Sequence, residues 1–137
     1  MLFKRFLFSS LIFILAGAGF YLFNDSRLDF SNGNSIYTFD FAYLLFSAGI
    51  SLLASGLFLI YIEIIQKKEP PYKLTRISFL LHMAGLLVLL ITLAFSYSMK
   101  ISNIPLVVQV FIYTGLFLAV AGMSLLPAIM LIALRRK

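Results

Sequence analysis

Four apolar runs, each about as long as a bilayer is thick, limit what this chain can fold into. They cover roughly residues 6–23, 41–65, 77–97 and 104–134. A hydrocarbon core of about 30 Å takes about 20 apolar residues as helix. In water such runs would leave large greasy surfaces that associate indiscriminately; in lipid the same surface needs no cover. Helices and closed barrels alone satisfy every backbone polar group in lipid, and these runs lack the alternation of a barrel strand. Composition agrees. The chain is 62% hydrophobic and 12% charged, where soluble domains are about half apolar and about a quarter charged. The expected fold is therefore an all-α integral membrane protein. Four transmembrane helices form one antiparallel bundle, a single four-helix transmembrane domain over residues 1–137.

The basic residues sort by connection. Lys4 and Arg5 precede the first run, and Lys67, Lys68, Lys73 and Arg76 separate the second from the third. With Arg135, Arg136 and Lys137 after the fourth, these are nine of the eleven Lys and Arg. Arg27 and Lys100 fall in the other two connections, together with Asp25, Asp29 and Asp40. Short loops rich in Lys and Arg stay on the cytoplasmic side. The N-terminus, the middle loop and the C-terminus are thus expected in the cytoplasm, at a bacterial inner membrane. The net charge of +6 then reads as a topology signal with some attraction for anionic lipid, and not as a nucleic-acid footprint.

Lys4, Arg5, an apolar stretch and Ala16-Gly17-Ala18 also have the outline of a cleavable signal peptide. The apolar run continues through Phe20-Tyr21-Leu22-Phe23, so the segment is expected to remain as the first span.

The connections carry turn chemistry. Asn32-Gly33 suits the positive φ of a type I′ turn and lies between Leu28-Asp29-Phe30 and Ile36-Tyr37-Thr38. A short β-hairpin in this first external loop and a solvated loop are expected on even terms, since an isolated hairpin is marginal in water. Asp40 suits the positive end of the second helix. Pro70-Pro71 is expected to stop that helix, Pro105 to begin the fourth, and Pro127 to kink it.

Helix contacts in lipid favour small or weakly polar residues, and every run carries a stripe of them. The first has Ala16-Gly17-Ala18-Gly19; the second has Ser47, Ser51 and Ser55 beside Gly49 and Gly56; the fourth has Gly115, Ala119 and Gly122. In the third, Ser78, His82, Gly85, Leu89, Thr92 and Ser96 alternate spacings of four and three, which places them on one face. Gly17, Gly49, Ser51, Ser55, Gly56, Gly85, Gly115 and Gly122 are accordingly expected at helix contacts. Ala48-Gly49-Ile50-Ser51-Leu52-Leu53 resembles Ala121-Gly122-Met123-Ser124-Leu125-Leu126. The alphabet is poor and the copies count out to different depths, so the match is read as coincidence rather than as a repeated helix pair.

Two polar groups go beyond packing. His82 is the one histidine, and it counts about two turns, roughly 9 Å, inward from Arg76. An imidazole in hydrocarbon needs a partner; Tyr61 and Glu63 count to a similar depth, and Ser78 shares its face. Glu63 also has a simpler reading as a helical ion pair with Lys67, four residues on. Toward the other end, Gln109 and Tyr113 fall level with Thr92 and Ser96. Unpaired polar groups are costly in lipid, so these four are expected to bond one another as interhelical glue.

Cysteine is absent, which removes disulfide, thiol-redox and thiolate-metal chemistry. The four-helix quinone-linked disulfide oxidases, which need paired cysteines, are excluded with it. No phosphate-binding glycine loop, zinc signature or nucleophile with a matched base appears. Small multidrug exporters have a similar length and span number, but they need a carboxylate in the first helix and none is present. No catalytic residue, metal or cofactor is expected. The favoured class is a structural or accessory subunit of a larger membrane complex, or a self-assembling bundle. Its partners would be the lipid bilayer and other membrane subunits or copies of itself. The alternative is an oligomeric channel or carrier for a small solute, ion, lipid or quinone, with His82, Tyr61 and Glu63 at one end of a path and Gln109 and Tyr113 at the other. Third comes a redox subunit sharing a haem through His82.

Overall fold

Every apolar run is a helix in the computed structural model, which describes residues 3–23, 27–31, 36–98 and 106–135. The order is α1 (Phe3–Phe23), β1 (Arg27–Ser31), β2 (Ile36–Asp40), α2 (Phe41–Ile60) with a π-helical turn at Tyr61–Ile65, α3 (Tyr72–Ser98) and α4 (Leu106–Arg135). Four helices are long and apolar enough to cross a membrane. The strands β1 and β2 pair antiparallel, Arg27 opposite Asp40 and Ser31 opposite Ile36. Between them the Thr38 hydroxyl donates to Asp29 Oδ1 at 2.7 Å. The Asn32-Gly33 turn and the Pro105 helix start lie outside the described residues.

The helix ends follow local chemistry. Asp40 ends β2 and caps α2, its Oδ1 accepting the Ala42 N–H at 2.9 Å, which satisfies one of the orphan donors of a first turn. The stop of α2 differs from expectation. It comes before Pro70, where the Gln66 N–H reaches the Tyr61 carbonyl and the Lys68 N–H reaches the Ile62 carbonyl, both at 3.1 Å. Lys67 takes a left-handed φ of 50° between them. The proline pair instead opens α3. The Pro71 carbonyl accepts from both the backbone N–H and the hydroxyl of Thr75, each at 3.0 Å. α3 therefore starts at Tyr72, five residues before its apolar run, because long basic stems lie along a helix while their heads reach water. α4 continues through Pro127.

The helices pack as two close pairs. Gly17 of α1 lies against Ala42 and Leu45 of α2, while Gly56 of α2 lies against Leu7 and Phe6 of α1. Partners thus climb one helix as they descend the other. In the second pair Gly115 of α4 meets Leu89 of α3, and Gly122 meets His82 and Ser78. A Cβ on Gly85 would run into the backbone nitrogen of Ala119 and the carbonyl oxygen of Gly115; only glycine lets these two backbones approach so closely.

One apolar core joins the pairs, drawing Phe6 and Phe13 from α1, Leu52 and Leu59 from α2, Leu86 from α3, and Leu126 and Ile129 from α4. Phe6 and Phe79 meet edge to face with centroids 4.9 Å apart, which sets the start of α1 beside the start of α3. A smaller cluster of Phe41 and Leu93 closes the opposite end. The outer surface is no more polar than the interior: Phe8, Leu22, Ile91, Leu106 and Phe117 are all exposed, Phe117 by 72%.

A buried polar seam and two surface grooves

The spacing of four and three along α3 does make one face. Ser78, His82, Gly85, Leu89 and Ser96 are all buried on it. Its lower half is the polar centre of the molecule. The Ser78 hydroxyl donates to the Gly122 carbonyl of α4 at 2.6 Å. One turn further, His82 is 1% exposed, and its Nε2 lies 3.0 Å from the Ser51 Oγ of α2. The Ser55 hydroxyl donates to the Ser51 carbonyl at 2.8 Å.

The Ser51 proton sets the tautomer of His82. A hydroxyl has one proton, and that of Ser51 has an acceptor in the Ala48 carbonyl, 2.8 Å away. With that proton on the Ala48 carbonyl, Nε2 donates to Ser51 Oγ and Nδ1 presents a lone pair; with it turned to Nε2, Nδ1 carries the ring proton. Nδ1 is buried and has no hydrogen-bond partner among the described residues.

Ser51, expected only as a packing residue, is thus the partner of His82, and Tyr61 and Glu63 are not. Tyr61 is exposed and its hydroxyl accepts from Gln66 Nε2 at 2.7 Å. Glu63 sits half-buried in the π-helical turn. The i,i+4 ion pair with Lys67 needs a continuous α-helix, and the chain leaves the helix before Lys67. The depth of His82 is the reason. α3 starts at Tyr72 rather than near Arg76, so His82 lies ten residues, about 15 Å, inside the helix while remaining about 9 Å from Arg76. That is level with the middle of α2 and not with its end. A serine spaced on the same face as Ser47 and Ser55 was the signal that pointed to it.

Of the expected outer cluster, the two hydroxyls on α3 are satisfied within their own helix. The Thr92 hydroxyl donates to the Val88 carbonyl at 2.7 Å and that of Ser96 to the Thr92 carbonyl at 2.8 Å. Both bonds stay within α3, the usual way for these residues to satisfy themselves in a helix. Tyr113 is exposed and Gln109 half-buried. By contrast, Gly17, Gly49, Ser55, Gly56, Gly85, Gly115 and Gly122 are all buried, each of the six glycines against its partner helix.

Two apolar grooves open on the surface. One, of about 340 Å³, lies between α3 and α4 and is lined by Val88, Ile91, Phe95, Val107, Val108 and Phe111 with Thr92. The other, of about 310 Å³, lies between α1 and α3, with Ser9, Ile12 and Ala16 on one wall and Met83, Leu87 and Leu90 on the other. Among the described residues, no three His, Cys, Asp or Glu side chains gather to hold a metal ion. No family model, curated protein or solved structure matches the chain.

Proposed function

We propose that this chain is an integral membrane protein, a four-helix antiparallel bundle with both termini and the Gln66–Thr75 connection in the cytoplasm. In it the protein serves as a structural or accessory subunit of a larger membrane assembly, or as a self-assembling bundle. One observation carries the reading: the inside is filled by helix contact. Gly85 and Gly122 bring α3 and α4 to backbone contact. The polar groups on that seam bond to helix backbone or to one another. What is left over is apolar outer surface, which suits lipid and neighbouring subunits. Purification in mild detergent tests it, with the intact mass and the optical spectrum read together. A complex with other chains, or a defined homo-oligomer, agrees with this role. A stable, monodisperse monomer contradicts it.

A second reading rests on the unpartnered Nδ1 of His82. An unpartnered ring nitrogen held in hydrocarbon belongs to a functional group more often than to a packing residue, and an oligomeric channel or carrier would use it. His82→Ala would then abolish flux while leaving the helices intact. Unchanged flux removes that reading, and a Soret band in the spectrum would replace it with haem ligation by His82.

A further inference from the structure

We infer that the groove between α1 and α3 binds an anionic phospholipid, its phosphate held by Arg5 and Arg76 and one acyl chain lying along the groove. The inference rests on the membrane reading above and adds a specific lipid site to it.

Register carries the argument. On α1, Arg5, Ser9, Ile12 and Ala16 are spaced four, three and four, so they stand on one face. On α3, Arg76, Met83, Leu87 and Leu90 are spaced seven, four and three, which again is one face. The lower residue of each set is an exposed arginine, and the rest line the groove. Both helices begin at the same end of the molecule, fixed there by the Phe6–Phe79 contact. The two arginines therefore stand at the same end of the two groove-lining faces although their helices are not consecutive in the chain.

Charge and length select the occupant. That end also bears Lys4, Lys67, Lys68 and Lys73 against Glu63 and Glu69, so it favours an anion. Arginine presents a planar fork that matches phosphate oxygens two at a time. From Arg5 to Ala16 is eleven residues and from Arg76 to Leu90 fourteen, or about 16 and 21 Å of helix. Half a hydrocarbon core is about 15 Å, the reach of one acyl chain in one leaflet. Ser9 aside, the six wall residues named above are apolar, as a hydrocarbon chain needs. Basic pockets between helices on the cytoplasmic side are a recognised setting for anionic headgroups.

The test uses the full chain, first reconstituted with phosphatidylcholine vesicles to establish that it inserts. Native mass spectrometry in detergent then counts bound phosphatidylglycerol against phosphatidylcholine of identical chains. The wild type should retain phosphatidylglycerol about tenfold better. Arg5→Gln with Arg76→Gln should erase that preference. Lys67→Gln with Lys73→Gln removes the same charge from the same end and should keep it. Leu87→Trp fills the groove without touching charge and should lower retention of both lipids. Helicity by circular dichroism confirms that each variant folds. Equal losses in the arginine and lysine pairs would mean diffuse attraction and overturn the site, as would full retention in Leu87→Trp. Insertion without lipid preference removes the site alone; failure to insert removes the membrane reading and the site together.

Discussion

His82 Nε2 lies 3.0 Å from Ser51 Oγ, and this hydrogen bond fastens the α3–α4 pair to the α1–α2 pair. It is an asymmetric arrangement. Ser51 keeps its own backbone acceptor whether or not His82 is there, whereas the His82 ring has no second partner among the described residues. Ser51→Ala therefore leaves a buried imidazole with neither nitrogen bonded, and such groups cost about 1–3 kcal/mol. His82→Leu removes the imidazole and leaves a satisfied serine. The expectation is that Ser51→Ala destabilises more than His82→Leu, and that the double variant recovers part of the loss. Unfolding of the four proteins in detergent gives the coupling directly; additive effects would contradict the geometry.

Glycines on opposite sides of α1 and α3 should behave in opposite ways. Gly85→Ala drives a methyl group into the backbone of α4, and overpacking of this kind typically costs about 1–3 kcal/mol. Gly19 has nothing within 4 Å of where its Cβ would stand. Gly19→Ala is expected to be neutral or to stabilise by up to about 1 kcal/mol through helix propensity. Thermal melts followed by circular dichroism separate the two.

The stop of α2 puts a lysine where a glycine is usual. A left-handed L-residue costs roughly 1–2 kcal/mol, and Lys67 bears it at φ 50°. Lys67→Gly should raise the stability of the full chain by about 1 kcal/mol, and Lys67→Val should lower it. Equal stability of the two variants would show that the left-handed turn is not held in the protein.

The orientation has a clean assay because the chain contains no cysteine. Glu69→Cys should react with a membrane-impermeant thiol reagent only from the cytoplasmic side, and Asp29→Cys only from the other. Labelling of both from one side would refute the four-span topology.

The short match between Ala48–Leu53 and Ala121–Leu126 gains meaning from the packing. Gly49 sits on the Ser10 carbonyl and the Ile14 nitrogen of α1, and Gly122 on the Ser78 carbonyl and the His82 nitrogen of α3. Each glycine thus rests on an i,i+4 step of the preceding helix. Ser10 stands seven residues after Phe3, and Ser78 six after Tyr72.

Much of this fold was legible in the residues alone, because it is set by local rules. Long apolar runs dictate helices of bilayer length, a spacing of four and three dictates the buried face of α3, and Asp40 dictates a cap. The candidate site was legible by half. His82, Ser78 and the packing glycines followed from periodicity, but Ser51 as partner of His82, and α1 beside α3 along the groove, did not. Those pairings depend on where each helix begins and on which helices are neighbours. A π-helical turn and a start at Tyr72 moved α3 by more than a turn against α2, and no periodicity records such a shift. Nor does periodicity say which apolar stripe meets a helix and which meets lipid, since leucine and a lipid tail are equally apolar. The sequence determined the helices and their faces; only the tertiary structure decided their register and neighbours, because those arise from contacts between segments far apart in the chain.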